Sequence, residues 1–377
     1  MASRNEYSPI GLDLGDTSIK IVQLRSKRDR EWRLHAAAKS GYSALEPAGS
    51  GDADTSALKK TIRRMLRNGK FVGRKVATVL PRTDVLVRPV KLPAELKHAG
   101  PEEIWEALRA EARRYLPYPV EEAVLDFLSI DNAGSEEEEK PEVLLISAHE
   151  KKANQYLSLL KSLGLQCLCI DIVPCAVVRT AGQIIGNDCD DTVVVVEIGE
   201  RTSFVGMSRA KKLLFSRCFN RGSAMLTDAI AEELGLAPEK AEMFKHEYGI
   251  DHRANVKAEL WDDVRLSPSA APGVIFDVCR AELENFAYEM KRSIDYFLTQ
   301  FKMIKVEKAV LFGGGAELKG LSEYLADETK LEVRVGDPFA SLPSDNGAID
   351  DAVASATPSF AVALGLALRG DNEEWNT

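Results

Sequence analysis

The sequence predicts an α/β fold with two related lobes on either side of a cleft, and its length and three glycine-containing segments carry this prediction. The chain has 377 residues, which exceeds the usual size of one hydrophobic core, so we expect two lobes. Two strand–turn–strand segments with the same residue order begin at Ile10 and Val193, and a third strand runs directly into Gly313. A repeat this far apart in the chain indicates two similar halves that face each other.

The first segment is a hairpin whose tip can hold a phosphate group. Apolar residues alternate with small or polar residues from Ile10 to Leu14, as in a half-buried strand, and a second strand follows the turn. Glycines let a ligand approach the backbone, and successive turn amides can form an anion-binding nest. Taken alone, the segment also fits an ordinary hairpin. The candidate phosphate-binding residues are Gly15, Asp16, Thr17, Ser18 and Lys20, and the candidate ligand of hydrated Mg²⁺ is Asp13.

The second segment repeats the order of strand, acidic residue, glycine, hydroxyl pair and strand between Val193 and Met207. Glu197 takes the place of Asp13 and is the second candidate metal ligand. Two hairpins on opposite walls of a cleft are suited to hold the phosphates of one nucleotide. The residues that correspond to the glycine and the hydroxyl pair of the first hairpin, with one additional residue in the turn, are Gly199, Thr202 and Ser203.

The third segment joins an apolar strand to an amphipathic helix through three consecutive glycines. Glycines before a helix N-terminus let a phosphate or a flat ligand contact the backbone. The segment lacks the Gly-Lys-Ser/Thr ending of a P-loop and the Gly-x-Gly-x-x-Gly spacing of a dinucleotide fingerprint. The candidate ligand-binding residues here are Gly313, Gly314 and Gly315.

Two helices between the second and third segments add further candidates. Gly222 precedes a helix predicted at residues 224–234, whose N-terminus can face an anion. The next helix begins at Pro238 and places Glu242 and Lys245 three residues apart on one face. From the residues alone, this pair also fits a surface ion pair.

The three segments, in this order, resemble the phosphate-one, phosphate-two and adenosine motifs of the actin-like ATPase superfamily, which includes actin, sugar kinases, heat-shock chaperones and FtsA. Within it the chain most resembles the PilM family of type IV pilus assembly, a family also known from competence systems. The closest likeness lies at residues 10–22, supported by residues 221–230, 241–245 and 360–368. These segments span nearly the whole chain.

The resemblance implies an actin-like ATPase fold, with two duplicated ribonuclease-H-like lobes that bind ATP or ADP with Mg²⁺ in the cleft. It also implies that Glu242 and Lys245 contact the ribose and base, and that a helix at residues 175–185 crosses between the lobes. No residue is identified as catalytic. Glu197 replaces the usual aspartate, and its turn is less open than in strong ATPases, so we expect slow ATP hydrolysis or none.

The order of elements along the chain predicts its domain organisation. A strand–helix–strand subdomain is inserted at about residues 82–131. Its helix begins at Pro101, which is followed by Glu102 and Glu103. The strand at 143–147 is expected to return to the first lobe, and a polar loop at 250–280 to precede a long helix. The predicted units are a first lobe at 8–185, a second lobe at 190–345, a C-terminal helix at 346–370 that returns to the first lobe, and a disordered tail at 371–377.

Composition narrows the functional classes and the location. A net charge of -9 and a pI near 5.3 argue against general nucleic-acid binding. The first residues show no signal-peptide pattern, and we find no run of eighteen apolar residues that could span a bilayer. The six cysteines contain no Cys-x-x-Cys pair and are expected to be reduced and buried. We therefore expect a cytoplasmic protein, and the resemblance implies that it reaches the inner membrane through its partners.

The resemblance also implies a partner. In PilM-like proteins a groove beside the inserted subdomain receives the N-terminal cytoplasmic peptide of PilN, a membrane protein, so a PilN-like single-span protein, other pilus platform proteins and self-association are expected. The alternatives are an FtsA-like or GspL-like scaffold and a sugar-kinase-like phosphotransferase. The kinase alternative lacks a convincing catalytic aspartate, because the acidic loop at Glu136 lies far from any glycine-rich turn. A GspL-like protein is expected to continue into a transmembrane helix.

Overall fold

The computed structural model describes residues 6–26, 31–41, 52–129, 142–185, 191–254, 270–301, 304–345 and 347–369. The tail predicted at 371–377 and the acidic loop around Glu136 lie outside the described residues. In the part of the chain that is described, no helix is long and apolar enough to cross a membrane.

Strands and helices alternate along most of the described chain. The strands are β1 (Glu6–Tyr7), β2 (Ile10–Leu14), β3 (Ser18–Ser26), β4 (Trp32–Gly41), β5 (Lys75–Val79), β6 (Val85–Lys91), β7 (Ala123–Ser129), β8 (Glu142–His149), β9 (Gln166–Asp171), β10 (Thr192–Ile198), β11 (Ser203–Arg209), β12 (Lys212–Phe219), β13 (Val306–Phe312) and β14 (Glu332–Val335). The α-helices are α1 (Asp52–Asn68), α2 (Pro101–Ala112), α3 (Glu150–Ser162), α4 (Val173–Ile185), α5 (Ala224–Glu233), α6 (Pro238–Tyr248), α7 (Ala271–Gln300), α8 (Leu321–Thr329), α9 (Asp351–Ala354) and α10 (Ala361–Ala367).

Two sheets share one strand order, which confirms the predicted duplication. The order is β4-β3-β2-β5-β9 in the first sheet and β12-β11-β10-β13-β14 in the second. In each sheet the first three strands are antiparallel, and the last two run parallel to the central strand. The short strand β1 pairs with the end of β3. Each hairpin of the sequence analysis is thus the central strand of one sheet with its antiparallel neighbour.

Both central strands are covered on their two faces. The valines from Val193 to Val196 in β10 are at most 3% exposed, and such a continuous apolar run is typical of a strand between two layers. In the first sheet, Ile10 and Leu12 of β2 pack with residues of α1 and α3. On the opposite face, Val22 of β3 packs with residues of α10. The buried faces fix the strand register, because a slip by one residue would exchange the two faces.

The inserted subdomain contains one strand more than the sequence analysis predicts. Its sheet has the order β6-β8-β7, and β8 pairs with both neighbours through Val143 to Ser147. The prediction that this strand returns to the first lobe is therefore wrong. The insert needs β8 because β6 and β7 do not pair with each other in this sheet. Helix α2 completes a small core that contains Leu108, Phe127 and Leu145.

The long helix of the second lobe begins earlier than predicted. Helix α7 starts at Ala271, with a proline at its first turn, whereas the sequence analysis assigns residues 250–280 to a loop. Its buried stripe continues upstream through Val274 and Ile275, and Ile275 joins the core under the second sheet. Within residues 250–280, only 250–254 and 270–280 are described.

Two helices lie between the sheets and bring the lobes into contact. Residues of α4 and α10 form one core cluster with Val79 of the first sheet and Phe312 of the second. The Thr180 hydroxyl donates a hydrogen bond to the Ala361 carbonyl at 2.7 Å. A Cβ atom on Gly365 would lie 1.8 Å from the carbonyl oxygen of Ala176. The crossing of α4 and α10 therefore depends on the absence of a side chain at this glycine.

The described cysteines are only partly as predicted. Cys167, Cys169, Cys175, Cys218 and Cys279 are free thiols. Cys175 and Cys279 are buried, and burial raises the pKa of the Cys279 thiol to about 12. Cys218 is exposed, which corrects the expectation that all are in the core. Cys189 lies outside the described part of the chain.

The change Gly365→Ala is expected to destabilise the protein by roughly 1–3 kcal/mol, because the added methyl group overpacks the contact with α4. This cost outweighs the gain of about 1 kcal/mol that alanine brings to a helix interior. Gly182→Ala in α4 is the matched control, since the atoms nearest to its Cβ belong to the Lys211 side chain and not to the backbone of another helix. Urea unfolding of the three proteins measures the difference. Equal losses in both variants would contradict the close-packing argument.

Candidate functional site

The tips of the two hairpins line one cavity between the lobes. The cavity has a volume of about 260 Å³, and Gly15 and Gly199 both lie in its wall. The other wall residues that the sequence predicts are Asp13, Asp16, Thr17, Ser18, Lys20, Glu197, Thr202, Glu242, Lys245, Gly314 and Gly315. Sequence reasoning thus locates most of this cavity, whereas Ser203, Gly222 and Gly313 do not line it.

The two hairpin tips are closed by the same backbone hydrogen bond. The Gly15 N–H donates to the Ser18 carbonyl at 3.1 Å, and the Gly199 N–H donates to the Thr202 carbonyl at 3.0 Å. In the first hairpin Asp13 and Lys20 are cross-strand partners, and their side chains form an ion pair of 3.3 Å. The lysine ammonium is therefore held at the base of the first tip.

Gly222 and Ser203 support the second hairpin from behind instead of facing the cavity. The N–H groups of Ser223 and Ala224, at the start of α5, donate to the carbonyls of Gly199 and Glu200, both at 2.9 Å. These amides are occupied by the hairpin tip, although Ser223 itself lines the cavity, and a phosphate contact at the N-terminus of α5 stays a prediction. A Cβ on Gly222 would lie 2.3 Å from the Glu200 carbonyl oxygen. The Ser203 hydroxyl donates to the Arg221 carbonyl at 2.6 Å.

The three consecutive glycines have different roles. Gly313 has a positive φ of 90°, and its N–H donates to the Pro358 carbonyl at 2.9 Å. A Cβ on Gly313 or Gly315 would clash with Ile198, at 2.3 Å in each case. Gly314 has no atom within 4 Å of its Cβ position and lines the cavity. Gly313 therefore shapes the turn, and Gly314 presents open backbone to a ligand.

Helix α6 contributes a buried charge network to the other end of the cavity. Lys245 is 3% exposed, and its ammonium contacts the Glu242 carboxylate at 2.6 Å and the Thr227 hydroxyl at 2.7 Å. Burial opposes ionisation of Glu242, but hydrogen bonds from His246 and Lys245 outweigh it and lower the pKa of Glu242 to about 2. The pair is thus part of a cavity wall, and Glu242 is ionised at neutral pH.

The sequence analysis misses a cation that joins the two lobes. Arg82 begins a short 3₁₀ turn, Arg82–Asp84, that leads from the first sheet into the insert. Its guanidinium forms an ion pair with the Glu197 carboxylate, and its Nη1 donates to the Thr202 carbonyl at 3.1 Å. Burial raises the pKa of Glu197 above its ordinary value, and the Arg82 charge opposes this shift. One signal in the sequence is available: Arg82 follows a parallel strand, whose carboxyl end usually faces a ligand crevice.

A second missed cation and two missed acids complete the wall. Lys39 lies opposite Lys20 in the pairing of β3 with β4, and its ammonium lies 4.0 Å from the Glu317 carboxylate. Burial lowers the pKa of Lys39 and raises the pKa of Glu317. Burial likewise raises the pKa of Glu200. The cavity wall therefore carries both signs of charge, with Lys20 and Lys39 on the side of the first hairpin and Lys245 on α6.

The candidate metal ligands fit a hydrated Mg²⁺ ion in their chemistry. Mg²⁺ in nucleotide sites keeps several waters and uses one or two carboxylates together with phosphate oxygens. Asp13 and Glu197 both line the cavity, and the Asp13 charge contributes to the raised pKa of Glu197. No preformed cluster of three or more histidine, cysteine or acidic residues suited to a metal occurs among the residues that the structure describes.

Comparison with known proteins decides the family. A family model of the type IV pilus assembly protein PilM matches residues 11–260 and 272–371, which is most of the chain. The chain belongs to the PilM family. This confirms the family predicted from the hairpin segments and the actin-like fold with it.

Solved structures agree with this membership. A chain of a PilM–PilN type IV pilus biogenesis complex is 27% identical, with a TM-score of 0.75, and the match covers 97% of this chain and 99% of that chain. The ethanolamine utilization protein EutJ from Carboxydothermus hydrogenoformans is 17% identical with a TM-score of 0.54, over 97% of this chain and 90% of that chain. EutJ therefore shares the fold alone.

The change Glu242→Gln is expected to reduce the loss of stability in acid. The pKa of Glu242 falls from 4.5 to about 2 on folding. The stability that its charge contributes is therefore complete above about pH 4.5 and is lost as the pH falls toward 2. Urea unfolding at pH 6 and pH 3 is expected to show a steeper decrease for the wild type than for the variant.

The control for this experiment is Glu239→Gln, which removes an exposed carboxylate from the first turn of the same helix. Its pH dependence is expected to follow that of the wild type. If the wild type and Glu242→Gln lose equal stability between the two pH values, the network around Lys245 does not hold the carboxylate ionised.

Proposed function

We propose that this PilM-family chain is a cytoplasmic nucleotide-binding adaptor of a type IV pilus, or a related secretion or competence, assembly platform. It binds ATP or ADP with Mg²⁺ between its lobes, and it binds the N-terminal cytoplasmic tail of a PilN-like membrane protein beside the insert. This contact holds it at the inner membrane. The single observation that carries the nucleotide proposal is that both hairpin tips, α6 and Gly314 line one cavity.

The roles of the cavity residues follow from their positions. The amides and hydroxyls of the two tips receive the phosphates, as nests and turn hydroxyls do in other anion sites. Asp13 and Glu197 hold the hydration shell of Mg²⁺. The network of Glu242 and Lys245, together with Gly314, is at the end assigned to the ribose and base. This arrangement positions a nucleotide, and the Glu197 carboxylate is paired with Arg82 and is therefore not free to act as a general base.

Slow hydrolysis or none is therefore proposed. Phosphoryl transfer to water needs an oriented nucleophile as well as electrostatic stabilisation of the leaving group. Nucleotide binding then acts by fixing the arrangement of the lobes, since it bridges the two sheets. For an adaptor it is sufficient that the bound nucleotide stabilises one arrangement of the two lobes more than the others.

The proposed tail site is a groove between the insert and α3. Its wall contains Glu122 and His149 from the insert, and Asn154 and Ser158 from α3. Strand β7 is an edge of the small sheet, so an extended peptide can add to it through backbone hydrogen bonds. Val124 on β7 and Leu157 on α3 are 49% and 38% exposed. Val124 lies two residues after Glu122 of the wall, and Leu157 adjoins Ser158 of the wall, so both offer apolar contacts beside the groove to side chains of the tail. The similarity to a chain of a PilM–PilN complex supports this partner.

The nucleotide proposal is tested by calorimetric titration with ATP and ADP, with and without Mg²⁺, beside a phosphate-release assay. We expect Mg²⁺ to strengthen ATP binding, and Asp13→Asn to weaken the Mg²⁺-dependent part by about tenfold or more, as for an outer ligand of a metal. Asp295→Asn, at an exposed position of α7, is the control. Failure of the wild type to bind either nucleotide, or rapid phosphate release, would contradict the proposal.

The tail proposal is tested by titrating a synthetic N-terminal tail of the PilN-like protein encoded with this chain. Leu157→Glu is expected to weaken binding by about tenfold or more, because it places a charge where an apolar contact forms. Leu168→Glu is the control, because Leu168 on β9 has a similar exposure of 37%. Equal affinity of the two variants for the tail would exclude the groove beside α3 as its site.

A further inference from the structure

Arg82 occupies the deep part of the cleft, where the two hairpins approach each other. Its neighbours are Glu197 and Thr202 of the second hairpin, and the charge of Asp13 in the first hairpin also acts on it. A Cβ on Gly199 would lie 3.2 Å from a terminal nitrogen of Arg82. The guanidinium is thus directly beside the glycine at the tip of the second hairpin. Among the residues that the structure describes, the hydrogen bonds and the ion pair of Arg82 go to the second hairpin and not to the network of α6, which is assigned to the ribose and base.

The charges in this part of the cleft are balanced among four side chains. Asp13 pairs with Lys20, and Glu197 pairs with Arg82. The side chains of Glu197 and Arg82 are only 8% and 17% exposed, so neither charge is well solvated. A terminal phosphate that entered here would bring negative charge next to two carboxylates. The terminal phosphate therefore needs a nearby cation that can exchange its carboxylate partner for the phosphate. A guanidinium suits this exchange because it has several N–H donors.

The two terminal nitrogens of Arg82 have different partners. Nη1 donates to the backbone carbonyl of Thr202 in the hairpin tip, which is a neutral acceptor. Nη2 donates to the Glu197 carboxylate. The hydrogen bond from Nη1 to the Thr202 carbonyl can persist while the ion pair with Glu197 is replaced. The guanidinium can then rotate about its hydrogen bond to Thr202. Glu197 then serves as the acceptor of Nη2 when no phosphate is present.

We propose that Arg82 distinguishes nucleoside triphosphate from diphosphate, by exchanging the Glu197 carboxylate for the terminal phosphate while it keeps its hydrogen bond to Thr202. The inference rests on the proposed function, since it requires phosphates between the hairpins. It adds a specificity-determining residue to that site. No bond is broken in this exchange, and only hydrogen bonds and ion pairs change.

The proposal makes opposite predictions for two variants. Glu197→Gln leaves Arg82 in place but removes the charged competitor, so the triphosphate is expected to gain affinity relative to the diphosphate. The double variant Arg82→Gln/Glu197→Gln removes the cation as well. It is expected to show neither the increased affinity for the triphosphate nor the preference of the wild type for the triphosphate over the diphosphate. A charge-assisted hydrogen bond corresponds to a change of about tenfold or more in the affinity ratio. The double variant avoids a buried unpaired charge, which would endanger folding.

The experiment measures dissociation constants of ATP and ADP by titration calorimetry in EDTA, so that Mg²⁺ does not contribute. The wild type, Glu197→Gln, the double variant and Arg88→Gln are compared, and thermal unfolding verifies that each is folded. Arg88 is the control, since it belongs to the same segment but lies 4.0 Å over the ring of Tyr115. Its ratio of ATP to ADP affinity is expected to equal that of the wild type.

The outcomes separate this inference from the proposed function. A ratio that rises in Glu197→Gln and falls below the wild type in the double variant supports the role of Arg82. If all variants bind both nucleotides with the wild-type ratio, the role of Arg82 is overturned, and nucleotide binding by the cleft stands. If the wild type binds neither nucleotide even with Mg²⁺, the proposed function fails and this inference fails with it.

Discussion

The close approach of α4 and α10 is the constraint on which the rest of the structure depends. These helices separate the two sheets, and Gly365 lets their backbones meet. A second glycine, Gly11 in β2, brings α10 equally close to the first sheet, since its Cβ would lie 2.0 Å from the Ala363 carbonyl oxygen. The distance between the sheets determines the distance between the hairpin tips that project from them. A cleft that both tips can line is therefore a consequence of close packing behind it.

The acidic residues of the two hairpins are paired with cations in the cleft. Each hairpin carries an acidic residue on its central strand, and each acid is paired with a cation before any ligand arrives. In the second hairpin this cation comes from the other lobe, so the Arg82–Glu197 pair also holds the lobes together. The turn that carries Arg82 leads directly into β6, and Asp84 of the same turn contacts Lys152 of α3 at 3.4 Å. The turn Arg82–Asp84 therefore contacts the cleft through Arg82 and helix α3, beside the groove, through Asp84.

Patterns that lie within short segments of the sequence predict most of the cavity. The alternation of apolar residues, the glycines at the tips and the hydroxyl pairs are local signals, and all the tip residues except Ser203 line the cleft. The features that the sequence analysis misses depend on pairing between distant segments. Strand β8 reads as an ordinary apolar strand, and nothing in it indicates that it pairs with β6 and β7. Lys39 acquires its place in the wall from its pairing opposite Lys20, and Arg82 acquires its partner from the second hairpin.

The position of Gly222 outside the cavity wall has a different physical origin. A glycine before a helix fits both an anion site and a tight contact with another backbone, and the sequence does not distinguish them. Here the hairpin tip itself satisfies the first amides of α5 through Gly199 and Glu200. The glycine is needed because the Glu200 carbonyl lies against it. The same residue therefore supports the phosphate tip without contributing to its surface.

The central claim is that one nucleotide contacts both hairpin tips at once. Amide hydrogen exchange, measured with and without a saturating nucleotide, tests this claim most directly, because the tip amides belong to short, separate segments of the chain. The account predicts that residues 15–18 and residues 199–202 become protected together, at the same nucleotide concentration. Protection of one tip alone, or of neither while nucleotide is bound, would contradict it.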